Sequence, residues 1–166
     1  MARPRLNPLL RRLFRTPVWL YRWHCGPLLG HRFLLLTHIG RRSQLSRHTV
    51  LEVMVWRPDI PEAIVMSAFG RNADWLRNIE AHPGPRVNIG SSRFTADHRI
   101  LDTAEAAAVM ADYERRNRFA APVIRLALSR MLGWRYRGSQ ADRARLAEQL
   151  PLVAFRARKP VAADPG

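Results

Sequence analysis

Ten consecutive residues, Gly40-Arg41-Arg42-Ser43-Gln44-Leu45-Ser46-Arg47-His48-Thr49, concentrate hydrogen-bond donors in one short stretch. Forked guanidinium groups grip phosphate or carboxylate oxygens, hydroxyls serve the remaining lone pairs, and a glycine lets the backbone come close. Arg47 pointing back toward Arg41 and Arg42 would enclose an anion from two sides. Arg41, Arg42, Ser43, Arg47 and Thr49 are therefore candidate binders; the plain alternative is a solvated basic turn. A second stretch, Ser67-Ala68-Phe69-Gly70, ends an apolar run in small residues and a glycine before a helix signal. Such a junction lets main-chain N–H groups face the carbonyls of a ligand. Its plain alternative is an ordinary strand-to-helix connection with Trp75 in the core.

Other chemistry finds little support. The histidines at 24, 31, 38, 48, 82 and 98 are scattered, without metal-ligand spacing beside a carboxylate, so no metal is expected. There is no Gly-rich dinucleotide fingerprint, no P-loop and no Gly-x-Ser-x-Gly elbow. Cys25, the single cysteine, lies among aromatic and arginine residues, but a lone cysteine reads first as structural. It allows no intrachain disulfide, which fits a reducing compartment.

The elements that must position these residues follow from periodicity. Residues 8–15 place Leu9, Leu10, Leu13 and Phe14 opposite Arg11, Arg12 and Arg15, a short amphipathic helix. Thr16-Pro17 starts a second helix over 18–24 that Gly26-Pro27 stops. Strands are then expected over 33–39, 47–56 and 63–68, and a helix carrying Trp75, Leu76 and Ile79 with Asn72 or Asp74 as its cap. A hairpin over 86–89 and 93–101 follows, its second strand alternating Phe94, Ala96 and Ile100 with Thr95, Asp97 and Arg99. Asp102 and Glu105 stand in capping-box spacing before a helix over 104–117. Helices over 122–132 and 139–150 and a strand over 151–157 complete the chain. The expectation is an α+β fold, a small six-stranded antiparallel barrel with flanking helices. It divides into an N-terminal amphipathic segment, 1–32, a barrel domain, 33–157, and a tail, 158–166.

With 166 residues, 47% hydrophobic and 25% charged, the chain suits one folded domain rather than two or a disordered polymer. Its net charge of +15 is uneven. Ten arginines precede the first acid, Glu52, so an anionic partner is expected to meet the N-terminal third. No run of about 18 apolar residues predicts a membrane span. The N-terminus lacks the uninterrupted apolar core of a signal peptide, and a cytoplasmic location is expected.

Together, GRRSQLSRHT between two strands, a strand ending SAFGRNADWLRNIEAHP, then RVNIGSSRFTADHRIL and a Glu/Ala helix resemble the nitroreductase-like family of deazaflavin-dependent oxidoreductases, which use coenzyme F420. The resemblance runs from about residue 33 to 155. The family loop, Gly-basic-basic-Ser/Thr-Gly-x-x-Arg-x-Thr-Pro, is matched at Gly40, Arg41, Arg42, Ser43, Arg47 and Thr49; Gln44 replaces its usual Gly and Val50 its frequent Pro. Its Asp-Trp-Tyr-Arg-Asn is matched at Asp74, Trp75, Arg77 and Asn78, with Leu76 for the tyrosine. The resemblance implies a split β-barrel of the kind FMN enzymes also use. It also implies F420 as cofactor and hydride transfer to a quinone, nitro compound or similar small acceptor. Val50, Ser67, Ala68, Phe69, Gly70, Asp74, Trp75 and Asn78 join the loop residues as implied cofactor contacts. F420 carries a phosphate and an oligoglutamate tail, so cationic donors suit it.

Three alternatives stand beside this reading. One is a split barrel that holds FMN or haem instead, or one that binds a cofactor without turnover. Another is a basic nucleic-acid module, for which no motif or stacking platform speaks, so no nucleic acid is expected. The third concerns residues 1–24, whose basic and apolar faces suit either packing on the barrel or contact with the inner face of a membrane. The acceptor side is expected from the N-terminal helices and the region near Trp134.

Overall fold

The computed structural model describes residues 31–158. The two N-terminal helices expected from the sequence, Cys25 and most of the C-terminal tail lie outside the described residues. The elements run β1 (Phe33–Ile39), β2 (Ser46–Arg57), β3 (Glu62–Met66), a single 3-10 turn (Gly70–Asn72) and α1 (Asp74–Ala81). β4 (Arg86–Ile89), β5 (Ser92–Ile100), α2 (Thr103–Arg116), α3 (Ala121–Leu132), α4 (Gln140–Gln149) and β6 (Leu152–Ala157) follow. The six strands close into a barrel in the order β1-β2-β3-β6-β5-β4, every neighbouring pair antiparallel. This is the expected α+β barrel.

Alternation decides which side chains fill it. Leu34 and Leu36 point inward and are fully buried, as are Val87 and Ile89 of β4 and Val153 and Phe155 of β6. α1 lays Trp75, Leu76 and Ile79 into the same core, with the Trp75 ring tilted against Phe155 at 6.1 Å. A second core lies outside the barrel, where Ile64, Leu152 and Ala154 meet Met110 of α2, Leu128 of α3 and Leu146 of α4. β3 and β6 are thus covered on both faces, which is why they read as unbroken apolar runs rather than alternating ones.

A β-bulge at Met54 interrupts the β2–β3 register, so that Val53 faces Val65 while Val55 faces Ile64. The extra residue turns Met54 toward the helices and returns Trp56 to the barrel, where it stacks between Phe94 at 6.2 Å and His31 at 5.8 Å. These rings close the barrel at the end of β2 remote from Arg47.

Two helix starts differ from expectation. α1 takes Ala73 as its N-cap with no side-chain cap bond, because the Asp74 carboxylate is drawn to Arg41. At α2, Asp102 caps the Glu105 N–H at 2.8 Å, but the Glu105 carboxylate leaves the box for Arg99 at 2.6 and 2.9 Å. The full reciprocal box forms at α4 between Ser139 and Asp142.

Candidate functional site

Residues 40–45 connect β1 to β2 and fold back on themselves, Gln44 N–H donating to the Gly40 carbonyl and Gly40 N–H to that of Leu45. Gly40 is buried, and a Cβ there would stand 2.6 Å from Ser43 Oγ, so a side chain at this position would push the Ser43 hydroxyl aside. Gln44 adopts a φ of +54°, the left-handed conformation that glycine prefers. Its side chain compensates by donating to the Arg41 carbonyl at 3.2 Å and reaching His82 Nε2 at 3.3 Å. Gln44 thus holds a left-handed turn at the position where the family pattern has glycine.

The three loop arginines divide their work. Arg41 ties the loop to α1: its main-chain N–H and Nη1 both donate to Asn78 Oδ1, and Nη2 donates to Asp74 Oδ1 at 3.0 Å. Arg42 is exposed and has no hydrogen-bond or ionic partner among the described residues. Arg47 is exposed, its Nη2 reaching only the Ser43 hydroxyl at 3.3 Å. Arg42 and Arg47 thus keep most of their donors for an external anion, while Arg41 holds the loop on α1.

Beneath the loop runs a buried polar chain. Because Asn78 Oδ1 receives the Arg41 donors, its Nδ2 donates to His38 Nδ1 at 3.2 Å. The His38 proton then sits on Nε2, which donates to Thr49 Oγ1 at 3.2 Å. Burial holds the His38 pKa below the usual histidine value, and the nearby His48 and Arg47 add to the effect, against a main-chain hydrogen bond to Ile39 and the Asp74 charge. A neutral imidazole fits this donor pattern.

The other candidates separate. Thr49 lies on the inner side of the sheet with Leu36 and His38, whereas Val50 pairs with Leu35 on the outer side. Trp75 is a core residue, 6% exposed, and Asn78 is equally buried, so both shape the site from behind. At the junction after β3, the Ser67 N–H donates to the Pro151 carbonyl and the Gly70 N–H to that of Ser67. The N–H groups of Ala68 and Phe69 have no acceptor among the described residues, and Phe69 is exposed. Gly70 has a φ of +64°, and a Cβ would lie 2.8 Å from the Gln149 carbonyl oxygen. A side chain at this position would meet the end of α4.

His38 was not among the sequence candidates. Its position two residues beyond Leu36 on an alternating strand already placed it inside the barrel. A second feature appears only in three dimensions: a cleft of about 360 Å³ lined by Trp56, Glu52, Tyr113 and Arg116, among others. Tyr113 donates to Glu52 Oε1 at 3.0 Å, and burial, reinforced by that carboxylate, pushes its pKa up to about 12. Trp134 belongs to the helical layer, its Nε1 donating to Gln149 and its ring covered by Arg145. Among the described residues no helix is long and apolar enough to cross a membrane.

Residues 13–122, well over half the chain, match the F420H(2)-dependent quinone reductase family. The chain belongs to that family. It is an oxidoreductase of the deazaflavin-dependent kind, and its cofactor is F420. No protein of curated function matches the chain. Among solved structures, this family member is similar to an F420-H2-dependent reductase, FDR-A, at 16% identity over 76% of this chain and 96% of that one, with a TM-score of 0.44. It is also similar to a pyridoxamine 5'-phosphate oxidase-related FMN-binding protein from Nostoc punctiforme, at 12% identity over 85% and 78% of the two chains and a TM-score of 0.48. The haem storage protein HutZ from Vibrio cholerae gives 12% identity over 84% and 89%, again with a TM-score of 0.48.

Proposed function

We propose that this F420-dependent oxidoreductase passes a hydride from the reduced cofactor to a quinone, a nitro compound or a similar small electron acceptor. The observation that carries the assignment of the site is the division of labour in residues 40–47. Arg41 is spent on Asp74 and Asn78, while Arg42 and Arg47 keep donors to spare. That donor set fits F420, whose phosphate and glutamate carboxylates need several cations, and Arg42 and Arg47 would hold that anionic part. Ser43 adds a hydroxyl beside Arg47. The N–H groups of Ala68 and Phe69, without an acceptor among the described residues, would meet ring carbonyls. F420, when bound, supplies hydride transfer from its ring carbon, so no protein nucleophile is required. The protein's part is to orient the cofactor and to exclude water. His38, neutral and buried, keeps Thr49 and Asn78 in place beneath the loop without bringing a second positive charge into the core.

Residues 1–24, outside the described residues, are proposed as a peripheral contact with the inner face of a membrane, where lipid-soluble acceptors concentrate. The deciding experiment has two parts. Oxidation of reduced F420 by the purified protein is followed with a water-soluble quinone and with a nitroaromatic compound, and mass spectrometry identifies any copurifying small molecule. Turnover with either acceptor supports the reading. Bound reduced F420 that stays reduced with both overturns it.

A further inference from the structure

α3 is apolar on both sides. Its inner side, with Leu128 and the partly buried Ile124 and Leu132, belongs to the helix-side core, and Ala121 at its start is also buried. Its outer side presents Pro122, Val123, Leu126, Ala127 and Met131, all exposed, with Arg130 the one polar residue among them. Phe119, 88% exposed, stands one turn ahead of Val123. Exposed single hydrophobes are ordinary, but an apolar face running the length of a helix marks a surface that meets something else.

The charge beside this face has one sign. Residues 115–141 contain seven arginines and no acid. Arg118 rests its guanidinium 4.8 Å over the Phe119 ring, and neither Arg118 nor Arg130 has an acidic partner among the described residues. Where Pro122 borders α2, a cleft of about 380 Å³ opens, lined also by Arg115, Arg118, Arg125 and Arg143 around Glu114. Glu114 is buried and already taken, accepting from Arg143 at 2.6 Å and from the Tyr136 hydroxyl at 2.7 Å. The cleft therefore presents cations to whatever approaches.

We propose that the outer face of α3 docks on an anionic phospholipid surface. Phe119, Val123 and Leu126 would enter the acyl boundary, while Arg118, Arg130 and the arginine-lined cleft meet lipid phosphates. An interface of this kind offers apolar and anionic layers at neighbouring depths, which matches a helix face that interleaves both. A second copy of the chain would set one net-cationic stretch against another, which repels. This surface is separate from the cofactor loop, so the proposal stands or falls independently of the hydride acceptor.

The full-length protein is tested by cosedimentation with phosphatidylglycerol/phosphatidylcholine vesicles and with phosphatidylcholine vesicles alone. Binding is expected to the anionic vesicles only, and to weaken as salt rises. The double substitution Val123→Glu with Leu126→Glu, at exposed positions, should lower partitioning by about tenfold or more. F420 titration and unfolding midpoint should stay as in the wild type. Arg118→Glu with Arg130→Glu should act in the same direction and provides an independent variant that leaves the apolar residues in place. Partitioning unchanged in both double variants overturns the proposal and leaves residues 1–24 as the membrane contact. Wild-type protein that binds polyglutamate but not vesicles assigns the face to an acidic protein and overturns it. A dimer that dissociates in the first variant with unchanged vesicle binding assigns the face to a second copy and overturns it as well.

Discussion

Arg41 and Asn78 are joined twice, the main-chain N–H and the Nη1 of Arg41 both donating to the Asn78 side-chain oxygen at 3.1 and 3.0 Å. The same amide donates to His38 on its other side, so one buried residue couples the loop to α1 and to the barrel interior. Asn78→Ala would leave two donors and one acceptor unmet. Each such loss in a buried setting costs about 1–3 kcal/mol. The expected result is a lower urea midpoint together with weaker F420 binding by fluorescence titration. Loss of stability with unchanged F420 affinity would show that the loop keeps its shape without this anchor.

Arg47 makes the opposite kind of contribution, since its single bond to Ser43 leaves it nearly uncommitted to the fold. Arg47→Ala should therefore keep the unfolding midpoint while weakening F420 binding. A charged hydrogen bond contributes about 1.5–3 kcal/mol; exposure places Arg47 toward the lower figure, roughly tenfold in Kd. An unchanged Kd would remove Arg47 from the site.

Gly70→Val is expected to damage folding more than turnover. The family resemblance makes Gly70 an implied cofactor contact. In the structure the missing Cβ faces the Gln149 carbonyl at 2.8 Å, and the φ of +64° is unfavourable for a β-branched residue. The backbone strain alone costs about 1–3 kcal/mol. Thermal unfolding should shift down, while the folded fraction binds F420 as before. A wild-type midpoint with impaired turnover would return Gly70 to the cofactor side.

What the sequence carried well was periodicity. β1 occupies the expected residues 33–39, read from a short apolar run, and β4 the expected 86–89, where Val87 and Ile89 alternate with Arg86 and Asn88. The chemistry of residues 40–49 was legible as a collection of donors. Its internal division was not, since nothing in the order Arg41-Arg42 says that the first turns to Asp74 while the second faces water. Trp75 and Asn78 matched a family motif, yet their burial depends on how α1 seats against β1 and Phe155, which is a tertiary fact. The outer face of α3 was hidden for a related reason: a helix apolar all round reads as buried until the packing on one side is seen.

His38 gives the fold a defined acid response. Its pKa is lowered chiefly by burial, so the unfolded chain takes up the proton at a higher pH than the folded one. Stability from this residue is complete above the usual histidine value of 6.5 and is lost as pH falls below it toward the lowered folded value. His98, also lowered first by burial, acts with the same sign. His38→Gln should flatten part of the fall in unfolding free energy below pH 6.5, and His98→Gln a separate part. A slope unchanged by His38→Gln would mean that the imidazole titrates alike in both states.

Cofactor choice tests the loop as a whole. Arg42 and Arg47 are exposed, so any preference they confer rests on charge at a wet surface. FMN has one phosphate to offer that pair, whereas F420 adds several carboxylates. F420 should therefore bind more tightly than FMN, and its advantage should shrink as salt rises, because screening acts over roughly 8 Å at physiological ionic strength. Contacts between the ring and main-chain groups near Ala68 would not respond in this way. Paired titrations with both cofactors at low and high salt, made on the wild type and on Arg42→Ala, separate the two contributions. In Arg42→Ala the salt dependence for F420 should flatten, and FMN should be affected less. Tighter binding of FMN at every salt concentration, with no oxidation of reduced F420, would mean that the guanidinium pair serves a single phosphate and that this chain has exchanged the cofactor of its family.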